Sequence, residues 1–215
     1  MREKIKKVIK ETDFIYYICI ILVACILAMP ILNEHLDVYW DDGVQHIARA
    51  FGTLESIEEQ GIFPNVISDF TNGFGYSWNL FYGPLSTYGI ILMNFICKNF
   101  VTAYKIFSFL CFIFSGIFMY KFVMGVTKNS NTSLLAAAVY LTFPYHLTDW
   151  YVRNALGEFM SFMFIPLVFL GLYQLLNTTE NHYYLTFGAV RTYFNTQYLY
   201  TYYVYFFGSI CINAF

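Results

Sequence analysis

Residues Phe14–Leu32 read FIYYICIILVACILAMPIL, nineteen positions without a charged side chain. At ~1.5 Å of rise per residue, a helix of that length crosses the ~30 Å hydrocarbon core of a bilayer. It follows MREKIKKVIK, where Arg2, Lys4, Lys6, Lys7 and Lys10 make the flank basic. Basic flanks stay in the cytoplasm, so the N-terminus is expected inside. A secretory signal is the competing reading, but its apolar core is only ~7–15 residues and ends at a small-residue cleavage site. Leu22-Val23-Ala24-Cys25 does resemble a lipoprotein cleavage box. Against it, ILAMPIL prolongs the apolar run where a lipoprotein turns polar. The segment reads as an uncleaved anchor.

Composition extends that reading to the whole chain. The 215 residues are 58% hydrophobic, 22% aromatic and 12% charged, with a mean hydropathy of +0.52. Soluble globular domains carry about 25% charged residues. A net charge of −2 argues against a nucleic-acid partner. Cys19, Cys25, Cys97, Cys111 and Cys211 sit in apolar runs without a CxxC pair, which suits packing better than disulfides or a metal.

Further apolar segments give spans near 14–32, 104–124, 134–147 and 159–176, joined by a long first loop, 33–99, expected outside. Within that loop, Val44, Ile47, Ala48, Phe51, Leu54 and Ile57 recur at helical spacing, and Gly61 and Pro64 stop the helix. Leu85–Cys97 is apolar but short for a crossing: if it crosses, Asp149, Arg153 and Glu158 fall inside, and if it lies on the outer surface, as the resemblance described below implies, they fall outside. The expected fold is all-α, a polytopic transmembrane helical bundle whose outer loop carries short helices. Helices satisfy their own backbone in lipid, and the ten-residue alternation of a membrane barrel is missing.

Charge is concentrated in two places. Tyr39–Ala50, YWDDGVQHIARA, holds Asp41, Asp42, His46 and Arg49. A helix starting near Asp42 puts Asp42, His46 and Arg49 on one face. Either the aspartates cap that helix, with Arg49 pairing to them, or they form a general base beside the bilayer, since adjacent carboxylates raise one another's proton affinity. The second place, YHLTDWYVRNALGEF, holds His146, Asp149, Arg153 and Glu158 between two apolar spans. Asp149 and Arg153 are a helix-supporting i, i+4 pair, yet ionisable groups at membrane depth are expensive and mark functional sites.

The order of motifs carries a resemblance: an acidic pair after the first helix, then GIFP, then GYSWNLFYGPLSTY, and after further apolar segments PYHLTDWYVRNALGE. Over about residues 10–190 this resembles the YfhO-like polytopic bacterial membrane proteins of the C-type glycosyltransferase superfamily. Their relatives often carry the label 6-pyruvoyl-tetrahydropterin synthase-related, although no residue pattern here suggests pterin chemistry. The resemblance implies a multi-pass protein of the bacterial cell membrane that transfers a sugar, on the extracytoplasmic side, from a polyprenyl-phosphate donor to a cell-envelope glycan or lipid. Asp42 matches the catalytic base, with Asp41 its close competitor. Arg153 resembles the residue that neutralises donor phosphate, and Asp149 and Glu158 would shape the sugar or acceptor site, with His46 and Arg49 also expected to contact substrate. Some members use a divalent cation, for which Asp41, Asp42, His46 and Glu158 could supply ligands. A non-enzymatic transporter or envelope assembly factor is the alternative.

The composition changes at residue 191. RTYFNTQYLYTYYVYFFGSICINAF crowds six tyrosines between Tyr193 and Tyr205 with little leucine. Two readings stand. The stretch is a genuine aromatic interfacial helix, or a shifted reading frame truncates a longer protein, leaving residues 1–190 as the N-terminal part of the membrane domain.

Overall fold

The computed structural model describes residues 2–33 and 41–177. The tail from 191 onward lies outside the described residues. The described chain is helical, without a strand, in the order α1 (Arg2–Asn33), α2 (Gly43–Gln60), α3 (Trp78–Phe81), α4 (Pro84–Cys97), α5 (Phe100–Thr127), α6 (Ser130–Leu141), α7 (Pro144–Thr148), a π-helical turn (Asp149–Arg153) and α8 (Leu156–Asn177). A single antiparallel bridge, Ile67–Tyr76, closes the loop before α3. The helical membrane protein read from the sequence is therefore the observed fold.

Among the described residues three helices are long and apolar enough to cross a membrane: Phe14–Leu32 within α1, α5 and α8. Side-chain contacts give their directions. Tyr16 and Tyr17 pack on Tyr120 near the end of α5, and Tyr16 Oη donates to Asn131 Oδ1 (2.7 Å). At the other end of α1, Leu27 O accepts from Tyr151 Oη. Helix α1 thus runs antiparallel to α5. Helix α8 runs parallel to α5, with Phe159 beside Phe112 and Phe169 beside Phe122.

The segment 134–147, expected as one span, is divided. Helix α6 has 12 residues, too few for the ~20 that a crossing needs. Pro144 causes the division, because proline cannot donate to the carbonyl four residues back and the residue before it avoids helical geometry. Phe143 is accordingly extended (φ −59°, ψ 128°). The freed Tyr140 carbonyl is taken by His146 Nδ1 at 3.1 Å; a carbonyl only accepts, so this nitrogen carries the proton. Pro166 frees Phe162 O in the same way, and Tyr140 Oη donates to it (2.9 Å). Buried backbone groups in a membrane need such replacements. After the break the chain keeps its course: Leu141 faces Gly116, His146 faces Phe112, and Trp150 Nε1 donates to Ser108 Oγ (3.2 Å). The pieces from α6 to the π-turn therefore run the length of α5, antiparallel to it.

Helix α4, 14 residues long, starts beside α8 and ends one short turn before α5. Near its start Gly89 packs against Phe107, about two turns into α5. Ser86, Thr87, Ile90 and Ile91 face the protein, while Leu92, Phe95 and Ile96 are exposed.

Close packing of α1, α5 and α6 rests on Gly116. A Cβ there would stand 2.9 Å from both Ile20 Cγ2 and Leu141 Cδ1. Gly116→Val is expected to cost about 1–3 kcal/mol by overpacking. Thermal unfolding in detergent checks this, and an unchanged midpoint would show that the three helices do not meet there.

Candidate functional site

The two charged segments, far apart in sequence, pair through their backbones. Asp41 N–H donates to Val152 O (3.3 Å) and Asp42 N–H to Arg153 O (3.0 Å). A short antiparallel contact thus fixes the start of α2 against the π-turn, at the end of the bundle opposite the α1 N-terminus.

Asp42 occupies the N-cap position of α2, and its carbonyl accepts from His46 N–H (3.1 Å). An N-cap aspartate normally accepts a backbone N–H through its side chain. Asp42 makes no such bond. It is half-buried, Asp41 is exposed, and neither is in an ion pair among the described residues. Capping, the plainer reading of this carboxylate, is not what it does.

His46 and Arg49, expected to contact substrate, direct their polar atoms into the protein. His46 Nε2 accepts from Leu156 N–H (3.2 Å) at the start of α8. Burial and the nearby Arg49 charge lower its pKa to about 4, so the ring is neutral and can accept. Arg49 is fully buried. Its Nη2 donates to Tyr82 O (2.8 Å) and Gly83 O (3.4 Å), its Nε to Asn79 Oδ1 (3.2 Å), and its guanidinium lies 4.5 Å from the Tyr82 ring centre. Burial lowers its pKa to about 10, which leaves it cationic. No ion pair to Asp41 or Asp42 forms among the described residues. Arg49 instead ties the loop before α4 to α2.

That tie matters because Tyr82 reaches the second charged segment. Its Oη accepts from Gly157 N–H (3.0 Å), beside the N–H taken by His46. The open N-terminus of α8 is thus satisfied by two side chains from the long loop. Gly157 is needed there, since a Cβ would collide with the Tyr82 hydroxyl.

Asp149, Arg153 and Glu158 converge on the same end. Arg153 Nη1 lies 2.9 Å from Glu158 Oε2 and 3.4 Å from Asp149 Oδ1, and donates to Tyr145 Oη at 2.7 Å. Tyr145 in turn donates to Glu158. All three contacts use one nitrogen of the guanidinium, and the side chain is 39% exposed. Asp149 differs. It has no exposed surface, and neither oxygen has a hydrogen-bond partner. Burial first, then the Glu158 charge, push its pKa up to about 7, with Arg153 opposing and Asp42 adding to the shift. The Ala155 N–H opposes it as well without closing a hydrogen bond.

The π-turn aims these groups. Asn154 N–H bonds Asp149 O (2.7 Å), and Asn154 itself is left-handed (φ 52°), held there by Tyr104 Oη donating to its Oδ1 (2.9 Å). Single π-turns and left-handed non-glycine residues recur at functional sites. No sequence pattern marks the roles of Tyr82, Tyr104, Tyr145 and Asn154. In a chain with 20 tyrosines, only packing distinguishes the working ones. A divalent cation finds no ready cage, because among the described residues no group of three or more His, Cys, Asp or Glu side chains converges.

The family of 6-pyruvoyl-tetrahydropterin synthase related domains, described as membrane proteins, matches residues 80–199, just over half of the chain. The chain belongs to that family. The matched region takes in the end of α3 and all of α4 to α8, and so includes Tyr82, Asp149, Arg153 and Glu158, but not Asp42. The chain is also similar to a protein of Lactococcus lactis subsp. cremoris (strain MG1363), described as an uncharacterized protein, with 29% identity over 174 residues. That alignment covers 78% of this chain and 28% of the relative, so the chain spans well under a third of the relative's length. No solved structure matches.

Proposed function

We propose that this chain forms the acceptor-activating and phosphate-binding part of a membrane glycosyltransferase of the C-type superfamily, within its YfhO-like branch. The donor is a polyprenyl-phosphate sugar. The acceptor is a cell-envelope glycan or lipid, and the reaction takes place on the extracytoplasmic face of a bacterial membrane, with the α1 N-terminus in the cytoplasm. One observation supports the reading: the backbone pairing of Asp41–Asp42 with Val152–Arg153 makes the residue with an uncommitted carboxylate, Asp42, a neighbour of the residue with the guanidinium, Arg153.

Asp42 takes the proton of the acceptor hydroxyl as that oxygen attacks the sugar, with Asp41 its neighbouring competitor. Arg153 binds the donor phosphate. Glu158 and Tyr145 hold one of its nitrogens, which leaves the other edge of its planar fork for two oxygens of a phosphate. The lipid chain of the donor would lie along the apolar surface of the bundle.

Sugar transfer by membranes carrying the full-length protein tests the reading: labelled sugar from a polyprenyl-phosphate donor should enter envelope material, and no transfer by the wild type would overturn it. Sidedness has its own test. Cysteines placed at 42 and 153 should both react with an impermeant reagent added from outside, and reaction of position 153 from the inside alone would break the shared site. A transporter is the second reading, favoured by the helix break at Phe143 beside the buried, unpartnered His146 Nε2. Transporters bind at such discontinuities. Uptake into vesicles that His146→Phe abolishes, without any sugar transfer, would favour it.

A further inference from the structure

We infer that an anion entering the Arg153 site binds together with one proton, and that Asp149 holds the proton. The inference rests on Arg153 as the anion site of the reading above and adds how that site meets its charge requirement.

The geometry is that of a cation surrounded by carboxylates. Arg153 is the cation nearest Asp149, and it already contacts Glu158 at 2.9 Å. Asp149 lies 3.4 Å from the same nitrogen, on the inner side, without exposed surface and without a hydrogen bond to either oxygen. Ordinary buried carboxylates that stay ionised receive several N–H donors. This one closes none, so the charged form is supported by Arg153 and, more weakly, by the nearby Ala155 N–H. Of the groups that face it from the packed elements, Glu158 from α8 and Asp42 from the start of α2 oppose its charge, while the phenols Tyr104 from α5 and Tyr82 from the end of α3 stay neutral.

An ionised Asp149 would give the site a second carboxylate on one guanidinium, and an incoming phosphate would be repelled. A protonated Asp149 leaves Glu158 to balance Arg153, so the phosphate approaches a pair near neutrality. The anion in turn opposes ionisation of Asp149, which is the reciprocal half of the same coupling. The step is balanced simply: a proton from solvent joins a carboxylate oxygen as the anion docks on Nε and Nη2 of Arg153. With the Asp149 carboxyl pushed up to about 7, the site is ready below that pH. Affinity should fall as pH rises through 7, and the slope approaches tenfold per pH unit where uptake is complete.

The experiment uses the full chain in detergent, titrated calorimetrically between pH 5.5 and 9 with two probes that do not themselves titrate in that range. One is sulfate. The other is a short-chain prenyl-phosphoryl hexose, a phosphodiester with a fixed single charge. Repeating each titration in buffers of different ionisation enthalpy reads the protons taken up. The expected result is near-zero uptake at pH 5.5, close to one proton per anion at pH 8.5, and an affinity loss of at least tenfold between them. Asp149→Asn should bind with an affinity independent of pH and take up no proton, and Arg153→Gln should not bind. Wild-type binding without proton uptake overturns the inference, as does uptake that persists in Asp149→Asn, or no binding of either probe. If sulfate binds with a proton but the phosphodiester sugar does not, the inference holds and the glycosyl-donor reading fails.

Discussion

Asp42→Asn is expected to lower sugar transfer by about a hundredfold to ten-thousandfold, the usual contribution of a positioned general base. The amide keeps the size and polarity of the carboxylate but cannot accept a proton at neutral pH. The fold should not change, because the Asp42 side chain does not cap α2 and its backbone bonds, N–H to Arg153 O and carbonyl to His46 N–H, survive the substitution. The measurement is the initial rate of labelled-sugar incorporation by membranes with matched amounts of full-length protein. Transfer within a fewfold of wild type would remove Asp42 from the mechanism. A large loss in Asp41→Asn, with Asp42→Asn active, would move the base by one residue and leave the site in place.

The second large effect concerns stability. Arg49→Met should destabilise the loop–bundle junction by about 3 kcal/mol or more, since hydrogen bonds from a charged donor are each worth ~1.5–3 kcal/mol and two backbone carbonyls would lose this donor, while Asn79 Oδ1 would keep only Thr53 Oγ1. The acceptors are Tyr82 O, Gly83 O and Asn79 Oδ1. Arg49→Lys keeps the charge and the stem but not the planar fork that bonds both sides of the loop while stacking on Tyr82. It should fall between wild type and Arg49→Met. Thermal unfolding in detergent reads the effect, and protease cleavage between 61 and 83 locates it. A lysine variant as stable as wild type would mean that Arg49 acts as a point charge only.

The long helices were legible because a bilayer imposes a simple rule: about twenty apolar residues in sequence. Phe14–Leu32 obeys it in α1, and the apolar segments near 104–124 and 159–176 are parts of the longer α5 and α8. The segment 134–147 is apolar enough to suggest a span, but Pro144 makes it two helices. Asp41, Asp42, Asp149, Arg153 and Glu158 were conspicuous as charges in an apolar chain, and the structure gathers them at one end. His46 and Arg49 were equally conspicuous and turned out to hold the loop. Both kinds of residue look alike in one dimension, because burial and bonding partners belong to neighbours that are distant in the chain.

Taken alone, the amino-acid order determined that this is a helical membrane protein, where its long helices lie and which few residues carry charge, since each of those depends on local composition. Tertiary structure alone decided that Asp42 sits beside Arg153 and that Asp149 is sealed from water. A 3.0 Å bond between backbones more than a hundred positions apart follows from how helices pack, and no local pattern encodes it.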